Sequence, residues 1–148
     1  MEKNIQLNFE KEHVEKILNE FKTCLEKRCF IISRGLKRKE NDDFIENYNL
    51  NENTQLEMLK SLTIEDFSKK DFHVKDRNKL VYFFGKTYRL TCLNNEVEDV
   101  ETYIKFCIEE NMKSEGKFVI VISFHKANDK INYMYKKEWE NHKRGQYL

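Results

Sequence analysis

Proline does not occur in the 148 residues, and glycine occurs only four times. About 5 % proline is usual. Its loss, beside abundant Lys, Asn, Glu, Ile, Phe and Tyr, is the bias of an AT-rich genome and points to a low-GC bacterium or its phage. No glycine-rich phosphate loop and no GxSxG elbow is present, which removes the common nucleotide-loop and serine-hydrolase readings. Cys24, Cys29, Cys92 and Cys107 form no CxxC pair and have no suitably spaced histidines, which argues against a zinc site. Cys107 lies in an apolar strand pattern and reads as a small core residue. The opening MEKNIQLNFEKE has no apolar stretch, so neither a signal peptide nor a membrane span is expected. The expected compartment is the cytoplasm, with reduced thiols. Internal repeats, low-complexity tracts and linkers are also missing, and the chain reads as one domain, 1–148.

What is present is charge and a compact apolar minority. Charged residues make up 36 % and aromatics 13 %, and the dense apolar runs can offset the entropy of ordering the chain. The net charge of +1 excludes nucleic-acid binding through bulk positive charge. The charge is nevertheless segregated. Asp66 to Arg89 carries +4 and Lys126 to Leu148 +3, while Glu96 to Glu110 holds six acids against Lys105 alone. Such runs are ordinarily solvated faces.

Val14, Ile17, Leu18, Phe21 and Leu25 recur at helical spacing and predict an amphipathic helix in HVEKILNEFKTCLEK. CFIIS is a short strand candidate. ENDDFIENYNL and NTQLEMLKSL predict two more helices, the second capped by Asn53 or Thr54. Thr63 and Asp66 in TIEDF can cap a further turn. After Lys70 the pattern changes to strands rich in aromatic and β-branched residues: LVYFFGKTYRL, ETYIKFCIEE and KFVIVISFHK. The separators are NNEVED and NMKSEG, and the last two strands should form an antiparallel hairpin. Helices first and an antiparallel sheet afterwards give an α+β domain, with the amino-terminal helices on one face of the sheet.

Period two divides each strand into faces. Ile104, Phe106 and Ile108 oppose Tyr103, Lys105 and Cys107. In the last strand Phe118, Ile120, Ile122 and Phe124 form the heavy face, expected against the helices. Val119, Val121, Ser123 and His125 form the lighter one. The open surface is then expected to carry Tyr103, Lys105, Ser123 and His125. Each has an ordinary explanation: a solvated strand-end histidine, an edge-strand lysine that deters aggregation, a cross-strand packing tyrosine. His13, His73 and His142 read as surface histidines. Taken together, the open-face residues suit cleavage of RNA by its own 2′-hydroxyl. That reaction needs a base, an acid for the 5′-oxygen and cations for the transition-state charge, but no metal or cofactor. DNA, lacking the hydroxyl, is not a substrate.

The ordered series FIENYNL, EMLKSLTIEDFSK, VYFFGK, TYIKFCI, VIVISFHKA and NYMYK resembles the MqsR-type ribonuclease toxins, related in fold to the RelE family. The resemblance covers about residues 30–136, leaving 1–29 as an amino-terminal helix extension and 137–148 as a polar tail. It implies a toxin of a toxin–antitoxin pair, acting on RNA, free or as ribosome-bound messenger, and held by a cognate antitoxin protein. It implies neither a membrane role nor DNA binding by the isolated chain. Carried across, the catalytic set is Lys69 of EDFSK, Tyr103 and Lys105 of TYIK, and His125 of SFHK. Lys126, Lys86 and Arg89 are expected to hold phosphates. The Trp-Gln segment of some members has no match, and LVYFFGK stands in its place. The other reading of the same fold is a non-catalytic binding or inhibitor module encoded by a phage or mobile element.

Overall fold

The computed structural model describes residues 2–110 and 116–135, with side chains from residue 10 onward. The expected polar tail, His142 and all of NMKSEG but Gly116 lie outside the described residues. Along the described chain come α1 (Glu2–Glu26), β1 (Phe30–Ile32), α2 (Lys39–Asn47), α3 (Glu52–Lys60), β2 (Phe67–Phe72), β3 (Leu80–Thr91), β4 (Val97–Glu110) and β5 (Lys117–Lys126). Short 3-10 turns sit at Leu36–Arg38 and Ile64–Asp66. The class is α+β, as expected.

The helices end where the chain can turn. Arg28 adopts φ 60 after α1, and Cys29 N–H donates back to Cys24 C=O at 2.8 Å. Such a reversed hydrogen bond satisfies a carbonyl that the helix end leaves without a partner. Asn49, at φ 47, does the same for α2. The cap of α3 is Asn51, whose side chain accepts from Thr54 N–H at 2.9 Å, rather than Asn53 or Thr54. The Thr63–Asp66 cap forms as expected, with Asp66 accepting from Thr63 N–H at 2.8 Å.

The five strands form one sheet in the order β1-β5-β4-β3-β2. It is mixed, not antiparallel: β1 runs parallel to β5, pairing Phe30 with Val119 and Ile32 with Val121. Composition marks CFIIS as a strand but carries no information about which partner it meets. Between β1 and β2 the chain crosses to the far edge through α2 and α3, then returns as an antiparallel meander that ends beside β1. The β2 strand, FSKKDF, escapes a pattern search because Ser68 is inserted as a bulge between the pairs Phe67–Phe84 and Lys69–Phe83.

The helices cover one face. Val14, Leu18, Phe21 and Leu25 of α1, Phe44 and Ile45 of α2, and Leu56 and Leu59 of α3 share a core with Phe84, Ile104, Phe106 and Phe124. Phe21 stacks on Phe106 at 4.1 Å, and Phe44 meets Phe124 edge-on at 5.2 Å. A second bulge reassigns half of β5. Lys105 pairs with Ser123 but Phe106 with Val121, so Ile122 is an extra residue. Val119 and Val121 therefore belong to the helix-side core, contrary to strict alternation. Ile122 and Ile120 pack on the other face with Val81, Phe83 and Cys107. Beyond the bulge the phase is restored, so Phe124 points to the helices as expected.

Candidate active site

The face away from the helices carries two adjacent rows of side chains fixed by strand register. One row runs Lys69 (β2), Phe83 (β3), Lys105 (β4) and Ser123 (β5). The next runs Gly85, Tyr103 and His125. The expected grouping of Tyr103, Lys105, Ser123 and His125 on one face is thus present, and Lys69 joins it. Phe83 binds the rows together. The Lys69 and Lys105 ammonium groups lie 4.8 and 5.3 Å from its ring centre. Tyr103 stands 6.0 Å from Phe83 and 5.4 Å from the His125 imidazole.

Two contacts that sequence reasoning missed hold β5 and His125 in place. Asn41, buried in α2, donates to Ser33 C=O at 2.9 Å and Ile122 C=O at 3.0 Å, and accepts from Phe124 N–H at 2.9 Å. Its amide takes over as ladder partner for β5 where β1 has ended, at the bulge. A single buried asparagine in ENDDF gives no sequence sign of this. Its neighbour Glu40 reaches the imidazole, with Oε2 3.2 Å from His125 Nδ1. Asn128 donates to the same carboxylate oxygen at 3.0 Å.

The tautomer of His125 follows from these partners. Nδ1 lies 2.9 Å from Lys126 C=O, which can only accept, and beside the Glu40 carboxylate. Nδ1 therefore carries the hydrogen, and Nε2 is the atom free to take or give a proton.

An open cleft of about 520 Å³ lies over these residues, lined by Lys69, Phe83, Tyr103 and His125 and closed by the segment after β5. That segment can cross the sheet because Gly85 has no side chain: a Cβ there would sit 2.5 Å from Ile131 Cδ1. Ser68 Oγ donates to Asn132 C=O at 2.7 Å, and Tyr133 Oη to Glu101 Oε2 at 2.9 Å.

Burial, then the charges of Arg38 and Lys69, hold the Lys105 ammonium below the ordinary lysine range. Burial pushes the Tyr103 phenol up, so it stays protonated at neutral pH. The cleft thus combines the Lys69 ammonium, a phenol fixed as a donor and an imidazole held by Nδ1, and the lysine eased toward its neutral form, Lys105, adjoins it across the Phe83 ring.

The three expected phosphate holders are not gathered here. Lys86 belongs to the helix side, where it donates to Ser61 C=O at 3.0 Å and to the buried Asp66 carboxylate at 3.2 Å. Lys126 pairs with the buried Thr102 and exerts its charge on Glu98 and Cys92, away from the cleft. Arg89 pairs with Asp99 at 3.5 Å, four positions along β3 from Gly85 and so about 13 Å away. Of the other histidines, His13 is half-buried against Tyr82 Oη at 3.1 Å, and His73 accepts from Lys75 N–H. Among the described residues no group of three or more His, Cys, Asp or Glu could hold a metal ion, and no helix is long and apolar enough to cross a membrane. No protein-family model matches the chain, and no curated protein or solved structure matches it either.

Proposed function

We propose that the protein is an endoribonuclease that cleaves RNA through the attack of a 2′-hydroxyl on the neighbouring phosphorus. The observation that carries this reading is one open cleft lined by Lys69, Tyr103 and His125, with Lys105 beside it against the Phe83 ring. In the reaction the O2′–P bond forms and the P–O5′ bond breaks. Neutral Lys105 takes the 2′-hydroxyl proton, and protonated His125 gives the proton on Nε2 to the departing 5′-oxygen. Tyr103 donates to a non-bridging oxygen, and Lys69 offsets the charge that develops at phosphorus. Glu40 and the Lys126 carbonyl hold the imidazole by Nδ1 throughout.

The reading extends to the family. An α+β chain with its catalytic set on the open face of the sheet is what an MqsR-type toxin of the RelE-like fold would be, working in the cytoplasm against an antitoxin partner. The test is incubation of purified protein with labelled RNA. Products bearing a 2′,3′-cyclic phosphate and a 5′-hydroxyl are expected, with no effect of EDTA. His125→Ala should lower the rate by about 10²–10⁴. Cleavage at a 2′-deoxy position would remove the mechanism. If the wild type is inert with and without ribosomes, the fold serves as a binding or inhibitor module instead.

A further inference from the structure

His125 and Glu40 form the wall between two clefts. The main one lies over Phe83 and Tyr103. The second, about 200 Å³, lies on the other side and is lined by Leu36, Lys37, Arg38, Lys39, Ser123 and His125. We propose that Lys37, Arg38 and Lys39 form a phosphate-binding subsite for single-stranded RNA, so that the strand passes over His125 from one cleft to the other. This rests on the reading of the main cleft as an RNA-cleaving site.

Charge, size and backbone all bear on it. Four other basic residues near the sheet are neutralised, Arg34 by Asp42, Lys79 by Glu109, Lys86 by Asp66 and Lys117 by Glu20, and Lys69 and Lys105 already serve the main site. Lys37, Arg38 and Lys39 are exposed and have no ion-pair partner among the described residues. They do nothing evident for the fold. Lys39 opens α2, where a cation opposes the helix dipole and costs stability instead of adding it. Three successive unpaired cations beside an imidazole are suited to an anion.

A volume of about 200 Å³ is below the range of roughly 300–1,000 Å³ usual for an organic ligand, whereas the main cleft falls within it. The smaller cleft suits a phosphate. The larger, floored by Phe83 and Tyr103, suits a base. The turn that presents the cations is held, not frayed. Gly35, at φ 106, donates its N–H to Asp42 Oδ2 at 3.1 Å, and Arg38 N–H donates to Gly35 C=O at 2.8 Å.

The experiment measures binding of a short fluorescent 2′-O-methyl RNA, which cannot be cleaved by this route, to the full chain over a range of salt. The triple variant Lys37→Gln, Arg38→Gln, Lys39→Gln is compared with wild type, and a melting temperature at or above that of wild type shows that the variant is folded. The expected result is about tenfold weaker binding, with the slope of log affinity against log salt shallower by about 0.7, the contribution of one single-strand phosphate contact. Unchanged affinity and slope overturn the subsite. It is also overturned if polyglutamate displaces the RNA as well as polyuridylate of equal charge does, because the surface is then one for acidic protein. Cleavage of ordinary RNA is assayed alongside. A triple variant that binds and cleaves like wild type removes the subsite and leaves the catalytic reading standing. A wild type that cuts nothing, with RNA binding still lost in the variant, does the reverse.

Discussion

Lys105 is under two pressures, burial and the neighbouring cations Arg38 and Lys69, and both disfavour its charged form. The stability consequence has a definite sign. In the folded chain the lysine pKa is depressed, so at neutral pH folding pays to keep the ammonium charged. That cost fades as the pH rises toward the ordinary value of 10.5, where the unfolded lysine also loses its proton. Lys105→Met should therefore raise the melting temperature at pH 7, by an amount that shrinks steadily toward pH 10.5. A gain independent of pH would mean that packing alone is responsible. The catalytic consequence uses the same charges. Removing one cation with Lys69→Gln should let the Lys105 pKa rise, moving the ascending limb of kcat/KM to higher pH as well as lowering its height. A profile that falls in height without moving would assign Lys69 to phosphate contact only.

At the scale of elements, the alignment of β5 with α2 decides whether the site exists. Asn41→Ala leaves Ile122 C=O and Phe124 N–H buried without partners, at about 1–3 kcal/mol for each orphaned group. A total loss of about 3 kcal/mol in urea unfolding is expected. Asn41→Asp should do no better, since it retains an acceptor for Phe124 N–H but sets a carboxylate against two carbonyls. Phe124 is wholly buried between α2 and the sheet, and Phe124→Ala should cost about 3–5 kcal/mol. A loss under about 1 kcal/mol would contradict its place in the helix-side core. The same strand marks the limit of what sequence could tell. Period two grouped Tyr103, Lys105, Ser123 and His125 because all four lie on the near side of the Ile122 bulge. It failed for Ile122 itself and for Val119, Ile120 and Val121, which lie beyond it. A run of Val and Ile offers no signal for a bulge, because every residue in it is equally apolar and β-branched. Glu40 and Asn41 were hidden for a different reason: their roles depend on a contact between α2 and β5 about 80 positions away. Lys86 and Lys126 were misplaced because they were assigned by charge, whereas period two sets them on the helix-side faces of Phe84 and Phe124.

For the whole molecule, the parallel pairing of β1 with β5 governs the order of assembly. Phe30 and Val119 are about 90 positions apart, whereas β3 and β4 are joined by a tight turn in which Asn95 adopts φ 67 and donates to Cys92 C=O at 3.0 Å. Closing a short loop costs less entropy than closing a long one, so the β3–β4 hairpin should form early and β1 should dock late. Pulse-labelling hydrogen exchange during refolding should protect Phe84 and Ile104 amides before those of Ile31 and Val121. Simultaneous protection would show that the sheet condenses in one step. Late docking has a further consequence. Asn41 can grip β5 only beside the edge that β1 defines, and Glu40 is carried by the same helix turn. The group that orients His125 is therefore delivered by the last event of folding, so a partly folded chain can display the Tyr103–Lys105 strand while its imidazole is still unguided.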